Sequence, residues 1–293
     1  MSMPIDRGHL VTEQKHPMTD ELDTLSTKAC VDLLAIDHIQ AVDAVTKASN
    51  DIASFIESLA IRGGRLIYIG CGTSGRLGVL DAAECPPTFQ SNPNQIVGLI
   101  AGGDASLKTS SESKEDNFEG SYTTLKQLKL TSRDTVLGIA AGGTTPWVHG
   151  GLAFAKKKGA MTGLVTCANE PFEYDHLIFL DTGPEPLTGS TRMKAGTATK
   201  LTLNIITTTL FIKLGKVYGN LMVDLKASNA KLKDRAIRII TQSCLVNRKE
   251  AAKQLEEAGN DVKIAILMHK KNINQQEAKQ LLNNAKGYLR AAL

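Results

Sequence analysis

The residues of this chain whose types and spacing could do chemistry gather first between Gly70 and Glu84. Gly70-Cys71-Gly72-Thr73-Ser74-Gly75 puts three glycines within six residues, so the backbone can take positive φ there and approach a ligand closely. A helix that opens after such a turn has first N–H groups without intrahelical partners, and an anion satisfies them. Thr73 and Ser74 add hydroxyl donors and Arg76 a fixed positive charge, so Gly72, Thr73, Ser74, Gly75 and Arg76 read as a phosphate cradle. About two turns further, Glu84 precedes Pro86-Pro87, which are expected to stop the helix. A carboxylate near a bound phosphate is placed like a general acid or base. The turn alone is a weak signal: it lacks the Lys-Ser/Thr of a Walker loop, its glycines at 70, 72, 75 and 78 miss G-x-G-x-x-G, and a ligand-free strand-to-helix turn also uses glycine.

Two further groups stand apart in sequence. Thr188, Ser190, Arg192 and Lys194 lie in a polar loop that enters a helix expected to reach about Leu214, and they read as anion or hydroxyl contacts at a helix N-terminus. The plainer reading is N-capping by Ser190 or Thr191 with exposed cations. Glu112, Glu115, Asp116 and Glu119 follow Gly102-Gly103 on one polar segment, a pattern that a solvated helix face also produces.

The elements that must position these residues follow from hydrophobic patterning. Short apolar runs at 65–69, 96–101, 136–141, 161–165 and 177–180 read as five strands, with two helices before the first and helical segments between the others. Continuous apolar strands alternating with helices mean an α/β fold with a five-stranded parallel sheet covered on both faces. Glycine turns follow the first three strands, at the carboxyl ends where open α/β sheets bind ligands. Thr144-Thr145-Pro146 opens a helix running to about Lys158, and Thr144 and Thr145 could contact a ligand. From about Asn229 the pattern is helical in short pieces broken near 246–247, 259–260, 272–274 and 287, which suggests a small bundle. The expected organisation is an extended arm at 1–20, a ligand-binding domain at 21–228 and a helical C-terminal domain at 229–293.

Composition narrows the function classes. With 293 residues, 42% of them hydrophobic, the chain can bury a sizeable core. The net charge of +4 is modest and the basic residues are dispersed, so nucleic acid is not an expected partner. Five cysteines without CxxC spacing argue against a disulfide framework and a zinc site and point to a reducing cytoplasm. No signal peptide or 18-residue apolar run is present, so no membrane association is expected.

Several motifs occur together and in order: GTSGRLG at 72–78, ECPPTF at 84–89, AGG at 101–103, GSTRMKAGTA at 189–198 and GNLMVD at 219–224. From about Glu21 onward the chain resembles the N-acetylmuramic acid 6-phosphate etherases of the sugar isomerase (SIS) superfamily of phosphosugar-binding domains. The resemblance implies a SIS domain with a small C-terminal helical domain, a homodimer, and cleavage of a lactyl ether without metal or organic cofactor. Glu84 matches the family's proton donor and Glu115 its second active-site carboxylate, with Glu112 as the reserve position. Cys71 stands where alanine is common, and Asp104 where glutamate is frequent. Gly142-Gly143-Thr144-Thr145-Pro146-Trp147 replaces Ser-Gly-Arg-Thr-Pro-Tyr, which removes a hydroxyl and a cation from the third strand-end loop. Two rivals share the cradle: a phosphosugar isomerase, and a non-catalytic phosphosugar sensor similar to the glucokinase regulatory protein. A sensor has no need of both carboxylates.

Overall fold

A computed structural model describes residues 6–109, 112–225 and 229–293, without the side chain of Glu112. Helices α1 (Thr27–Asp37), α2 (Ile39–Lys47) and α3 (Ser49–Arg62) lead into β1 (Leu66–Gly70). Then come α4 (Gly72–Phe89), β2 (Ile96–Ile100), α5 (Ala105–Lys108), a 3₁₀ turn at Glu112–Lys114, α6 (Tyr122–Gln127) and β3 (Thr135–Ile139). Helix α7 (Pro146–Lys157), β4 (Met161–Thr166), β5 (His176–Phe179) and α8 (Lys194–Lys213) follow. The chain closes with α9 (Ala230–Cys244), α10 (Arg248–Glu257), α11 (Val262–Lys271), α12 (Gln275–Asn284) and α13 (Leu289–Ala292).

The five strands form one parallel sheet in the order β2-β1-β3-β4-β5, as the apolar runs predict. Every residue of β1, β3 and β4 is buried, which is why those strands are continuously apolar rather than alternating. Contacts divide the chain into two compact units, one of residues up to Ala83 with Asn94–Ile206, the other of Glu84–Pro93 with Thr207–Leu293. The second unit has its own core, built from Ile240, Leu255, Ile266, Leu267 and Leu289. Asn229, Asn247, Asp261 and Asn274 cap α9, α10, α11 and α12 with their side chains, so the polar breaks in the sequence are helix starts. Asp224 of the GNLMVD motif pairs at 2.9 Å with the buried ammonium of Lys263. A lysine that deep needs such a counter-charge, so this motif residue has a structural task.

Three expectations change. Three helices, not two, precede β1, because the breaks at His38 and Ala48 are single residues that leave the apolar spacing intact. Helix α4 begins at Gly72, inside the glycine turn, and is not stopped by Pro86 and Pro87 but runs through them to Phe89. A proline crowds the carbonyl one turn back and donates nothing, so the last turn forgoes the two helical bonds that residues 86 and 87 would have donated. Phe89 is buried and stacks on Phe211 with ring centroids 4.5 Å apart, which holds that turn, and Gln90 at φ 50° ends it. From Asp6 onward the expected extended arm is folded, with a 3₁₀ turn at Val11–Glu13 and with Leu10, Thr12 and His16 buried.

Arg65 and Asp134 precede β1 and β3 and tie the amino ends of these neighbours, with Arg65 Nε and Nη2 donating to the carboxylate at 2.9 and 2.8 Å. Burial pushes the Asp134 carboxyl up, but hydrogen bonds from Arg65 and the Thr131 N–H outweigh it and bring its pKa down to about 2. A depressed carboxylate stabilises the fold above its unfolded pKa and loses that contribution as pH falls toward the folded value. Asp134→Asn should therefore cost about 2 kcal/mol at neutral pH, and the deficit should shrink as pH falls from about 5 toward 3. Urea unfolding across that range measures the gap; one that stayed constant would show that the pair's charge does not stabilise the sheet.

Candidate active site

The cradle is set by how closely α4 approaches β1. A Cβ on Gly70 would lie 2.7 Å from the Gly75 nitrogen, and one on Gly75 would lie 2.5 Å from the Gly70 oxygen. These two glycines answer to helix-on-strand packing, the plainer reading of the turn. Gly72 differs: its φ is 50°, it is exposed, and a Cβ there would meet nothing within 4 Å. It turns the chain into the helix, whose first N–H groups have no partner within the helix. Thr73 and Ser74 are half-buried at this opening. Arg76 is half-buried too, and its Nε donates to the Leu107 carbonyl at 3.1 Å.

Glu115 lies beside the cradle. The Cys71 pKa is pushed up to about 12, first by burial and then by the negative charges of Glu115 and Asp116. Two carboxylates therefore bear electrostatically on the residue where β1 gives way to α4. Trp147 fixes this segment from α7, its backbone N–H donating to the Glu115 carbonyl at 2.9 Å. The reserve position, Glu112, has its side chain outside the described residues. A cleft of about 440 Å³ opens at the end of β2, lined by Gly102, Gly103, Asp104, Lys114, Asn117 and Trp147 among others. The cradle residues do not line it.

The loop after β3 is neutral and tightly held. Gly143 has φ 69°, and a Cβ on it would lie 2.9 Å from Phe172 Cζ and 3.0 Å from Ala168 Cβ, so glycine is required there. His149 of α7 clamps the loop, with Nε2 2.6 Å from the Gly143 carbonyl and Nδ1 2.6 Å from the Tyr174 hydroxyl. A carbonyl only accepts, so Nε2 is the donor to Gly143. Thr144 and Thr145 are half-buried, and Thr145 precedes Pro146 at the first position of α7.

The N-terminus of α8 is arranged otherwise than its sequence suggests. Glu185, fully buried, accepts from the backbone N–H groups of Lys194 and Ala195, both at 2.9 Å. The anion at this helix end is the protein's own carboxylate. Lys194 is 0% exposed, and its ammonium pairs with Asp37 at 2.9 Å and donates to Gln40 at 2.8 Å. Its charge is engaged inside the protein rather than offered to a ligand. Thr188 and Arg192 are exposed and Ser190 half-buried in the same loop. Thr73 comes close to this helix start, its Cγ2 3.5 Å from where a Cβ on Gly196 would lie. The fold thus brings the cradle, Glu115 and the first turn of α8 toward one end of the sheet.

Glu84 is exposed on α4, about three turns past Ser74, and belongs to the second compact unit. One turn earlier, Asp81 faces the first unit's core, where it accepts from the Tyr68 hydroxyl at 3.0 Å and from Asn204 at 2.7 Å. Sequence reasoning missed Glu185, His149 and the Asp37 partner of Lys194. Each is a lone polar residue in an apolar or proline-rich context, and only its distant partner shows its role. Among the described residues, no three His, Cys, Asp or Glu side chains group closely enough to hold a metal ion.

Residues 44–156 match the family model for the glucokinase regulatory protein N-terminal SIS domain. Over 98% of its length the chain is 49% identical to a protein of Crocosphaera subtropica named N-acetylmuramic acid 6-phosphate etherase, covering 96% of that protein. A protein of the same name from Synechococcus sp. strain CC9605 is also 49% identical over 98% of this chain and 93% of its own. A third, from Picosynechococcus sp., is 48% identical over 98% and 97%.

The Cys71 thiol reports on the placement of Glu115. Replacing Glu115 with glutamine removes one of the charges that hold the thiol protonated, but leaves burial, the larger cause, in place. Iodoacetamide labelling of Cys71 at pH 8, located by peptide mass mapping, should be slow in the wild type and a few-fold faster in Glu115→Gln. An identical rate would place the Glu115 carboxylate away from the cradle.

Proposed function

The chain belongs to the N-acetylmuramic acid 6-phosphate etherase family, and from this we infer that it cleaves the D-lactyl ether of N-acetylmuramic acid 6-phosphate. The products are N-acetylglucosamine 6-phosphate and D-lactate, which makes the protein a carbon–oxygen lyase of cell-wall amino sugar catabolism. Once the sugar ring opens, C1 is an aldehyde and the C2 proton is acidic. The C3 oxygen then leaves by β-elimination, and water adds across the resulting double bond.

This chemistry asks for a grip on the phosphate, a base and an acid. We assign the grip to Gly72, Thr73, Ser74 and Arg76, with the α4 N–H groups as donors; Gly75 serves by letting the helix approach. Thr144, Thr145, Thr188, Ser190 and Arg192 are assigned to the surrounding shell. Glu115 is assigned to the C2 proton and the incoming water, and Glu84, by its match to ECPPTF, to protonation of the departing oxygen. The observation that carries the reading is a carboxylate segment close enough to the cradle for its negative charge to add to burial in raising the Cys71 thiol. A passive phosphosugar sensor needs no carboxylate there.

The active form in this reading is a homodimer. Val31, Ile36, Ile39 and Val42 of α1 and α2 are each more than half exposed, an apolar face that a second copy would cover. We place the protein in the cytoplasm on its cysteine usage, with all five thiols free. We keep 21–228 as the phosphosugar-binding domain and 229–293 as its helical companion.

Purified protein supplied with N-acetylmuramic acid 6-phosphate should release D-lactate at a rate that EDTA does not change. Glu115→Ala and Glu84→Ala should each lower turnover by about 10²- to 10⁴-fold, with sugar phosphate binding nearly intact. Binding without lactate release by the wild type would overturn the lyase reading in favour of a sensor.

A further inference from the structure

Residues 9–19 run as a strap across the carboxyl end of the sheet. His9 Nε2 lies 3.7 Å from Glu170 in the loop after β4, and Glu13 Oε2 lies 3.2 Å from where a Cβ on Gly189 would be. Thr19 donates to the Pro186 carbonyl at 2.8 Å. His16 Nδ1 accepts from the Met18 N–H at 3.2 Å, so its Nε2 carries the proton and donates to Asp37 at 3.1 Å. Side-chain contacts at several points thus fix the strap, and Thr12 sits among them.

Thr12 is 1% exposed, yet its hydroxyl has no hydrogen-bond partner among the described residues. Leaving such a group unsatisfied costs about 1–3 kcal/mol, so its position needs an explanation. The hydroxyl faces the loop after β3 at Gly142, which is half-buried. Among the described residues, a Cβ built on Gly142 would have only Thr12 Oγ1 within 4 Å outside its chain neighbours, at 3.6 Å. The space over Gly142 is therefore clear apart from one unsatisfied hydroxyl. It lies at the end of β3, and β3 pairs directly with β1, whose end carries the cradle. Adjacent strands stand about 4.8 Å apart, so a phosphosugar anchored in the cradle reaches this space with its sugar rather than its phosphate.

We propose that Thr12 is a substrate-binding residue whose hydroxyl hydrogen-bonds a sugar oxygen of the bound phosphosugar over Gly142. The proposal rests on the phosphosugar reading above and extends its site to the N-terminal strap. A neutral hydroxyl suits a sugar oxygen, whereas the phosphate is met by helix N–H groups and Arg76. The strap thereby gives the loop after β3 a hydroxyl that its own Gly142-Gly143 sequence lacks.

The test compares wild type, Thr12→Val and Thr12→Ser in D-lactate release from N-acetylmuramic acid 6-phosphate. Inhibition by inorganic phosphate and thermal unfolding are measured alongside. Valine keeps the shape and removes only a hydroxyl that bonds nothing in the protein, so the melting temperature should not fall. KM should rise about 3- to 10-fold with kcat nearly unchanged, serine should restore it, and inhibition by phosphate should be the same in all three. A wild-type KM in Thr12→Val would overturn the inference while leaving the lyase reading standing. Equal weakening toward inorganic phosphate would overturn the assignment to a sugar oxygen. A wild type that neither binds nor cleaves the substrate would overturn the lyase reading, and the inference with it.

Discussion

The structure depends on helix α4 lying directly against the sheet. Four positions make this possible: Cβ atoms on Gly70 and Gly75 would run into each other's backbone, one on Gly78 would lie 2.9 Å from Tyr68 Cβ, and one on Gly98 of β2 would lie 2.5 Å from Val79 Cα. Any side chain there would lift the helix from β1 and β2 and move its N-terminus. The hydrogen bonds of Asp81 to Tyr68 and Asn204 then fix the helix's rotation. Packing therefore decides where the free N–H groups point before any ligand arrives, which is the preorganisation an anion site requires.

Charge is distributed to match. Both α4 and α8 begin at the carboxyl end of the sheet, and each helix start carries about half a unit of positive charge. At α8 that charge is met by the buried Glu185, and the neighbouring Lys194 is met by Asp37, so this end is neutralised from within. At α4 the first turn holds no acidic residue, and no described atom lies within 4 Å of a Cβ built on Gly72. In the proposed reading the two helix ends therefore have opposite tasks. The Lys194–Asp37 pair also sets the strap, because Asp37 is the acceptor of His16. Taking away one member of such a buried pair costs about 3–5 kcal/mol, which makes it a firm anchor.

The sheet was legible in the sequence because buried parallel strands need continuous apolar runs, and β1, β3 and β4 are buried at every residue. The glycine turns were legible as turns, yet their tasks were not. Gly70, Gly72 and Gly75 look equivalent in a string, and only the distances separate packing from an open φ. Pro86-Pro87 misled because proline is a local signal, while the Phe89 to Phe211 stack that carries the helix past it joins residues far apart in sequence. Lys194 misled for the same reason: a lysine in a polar loop reads as exposed until Asp37 is seen beside it. The family motifs supplied Glu115 and Glu84 where residue patterning left several carboxylates open, since a carboxylate's role depends on what it faces.

The loop after β3 shows how the site can tolerate a departure from its family's pattern. Residues 142–145 carry no charge, so in the proposed reading a phosphate in the cradle is answered by the α4 N–H groups, the hydroxyls of Thr73 and Ser74, and Arg76. Hydrogen bonds to a charged group contribute about 1.5–3 kcal/mol each, and several together suffice to hold a phosphate. What the loop must supply is shape, and its shape is over-determined. Gly143 is wedged against Phe172 and Ala168, its carbonyl is held by His149, and His149 is oriented by Tyr174. Arg76 in turn is tethered to the Leu107 carbonyl, which fixes the direction of its charge. In that reading a cation lost from one strand end is tolerable, because part of the anion's shell is backbone N–H groups that substitution cannot remove.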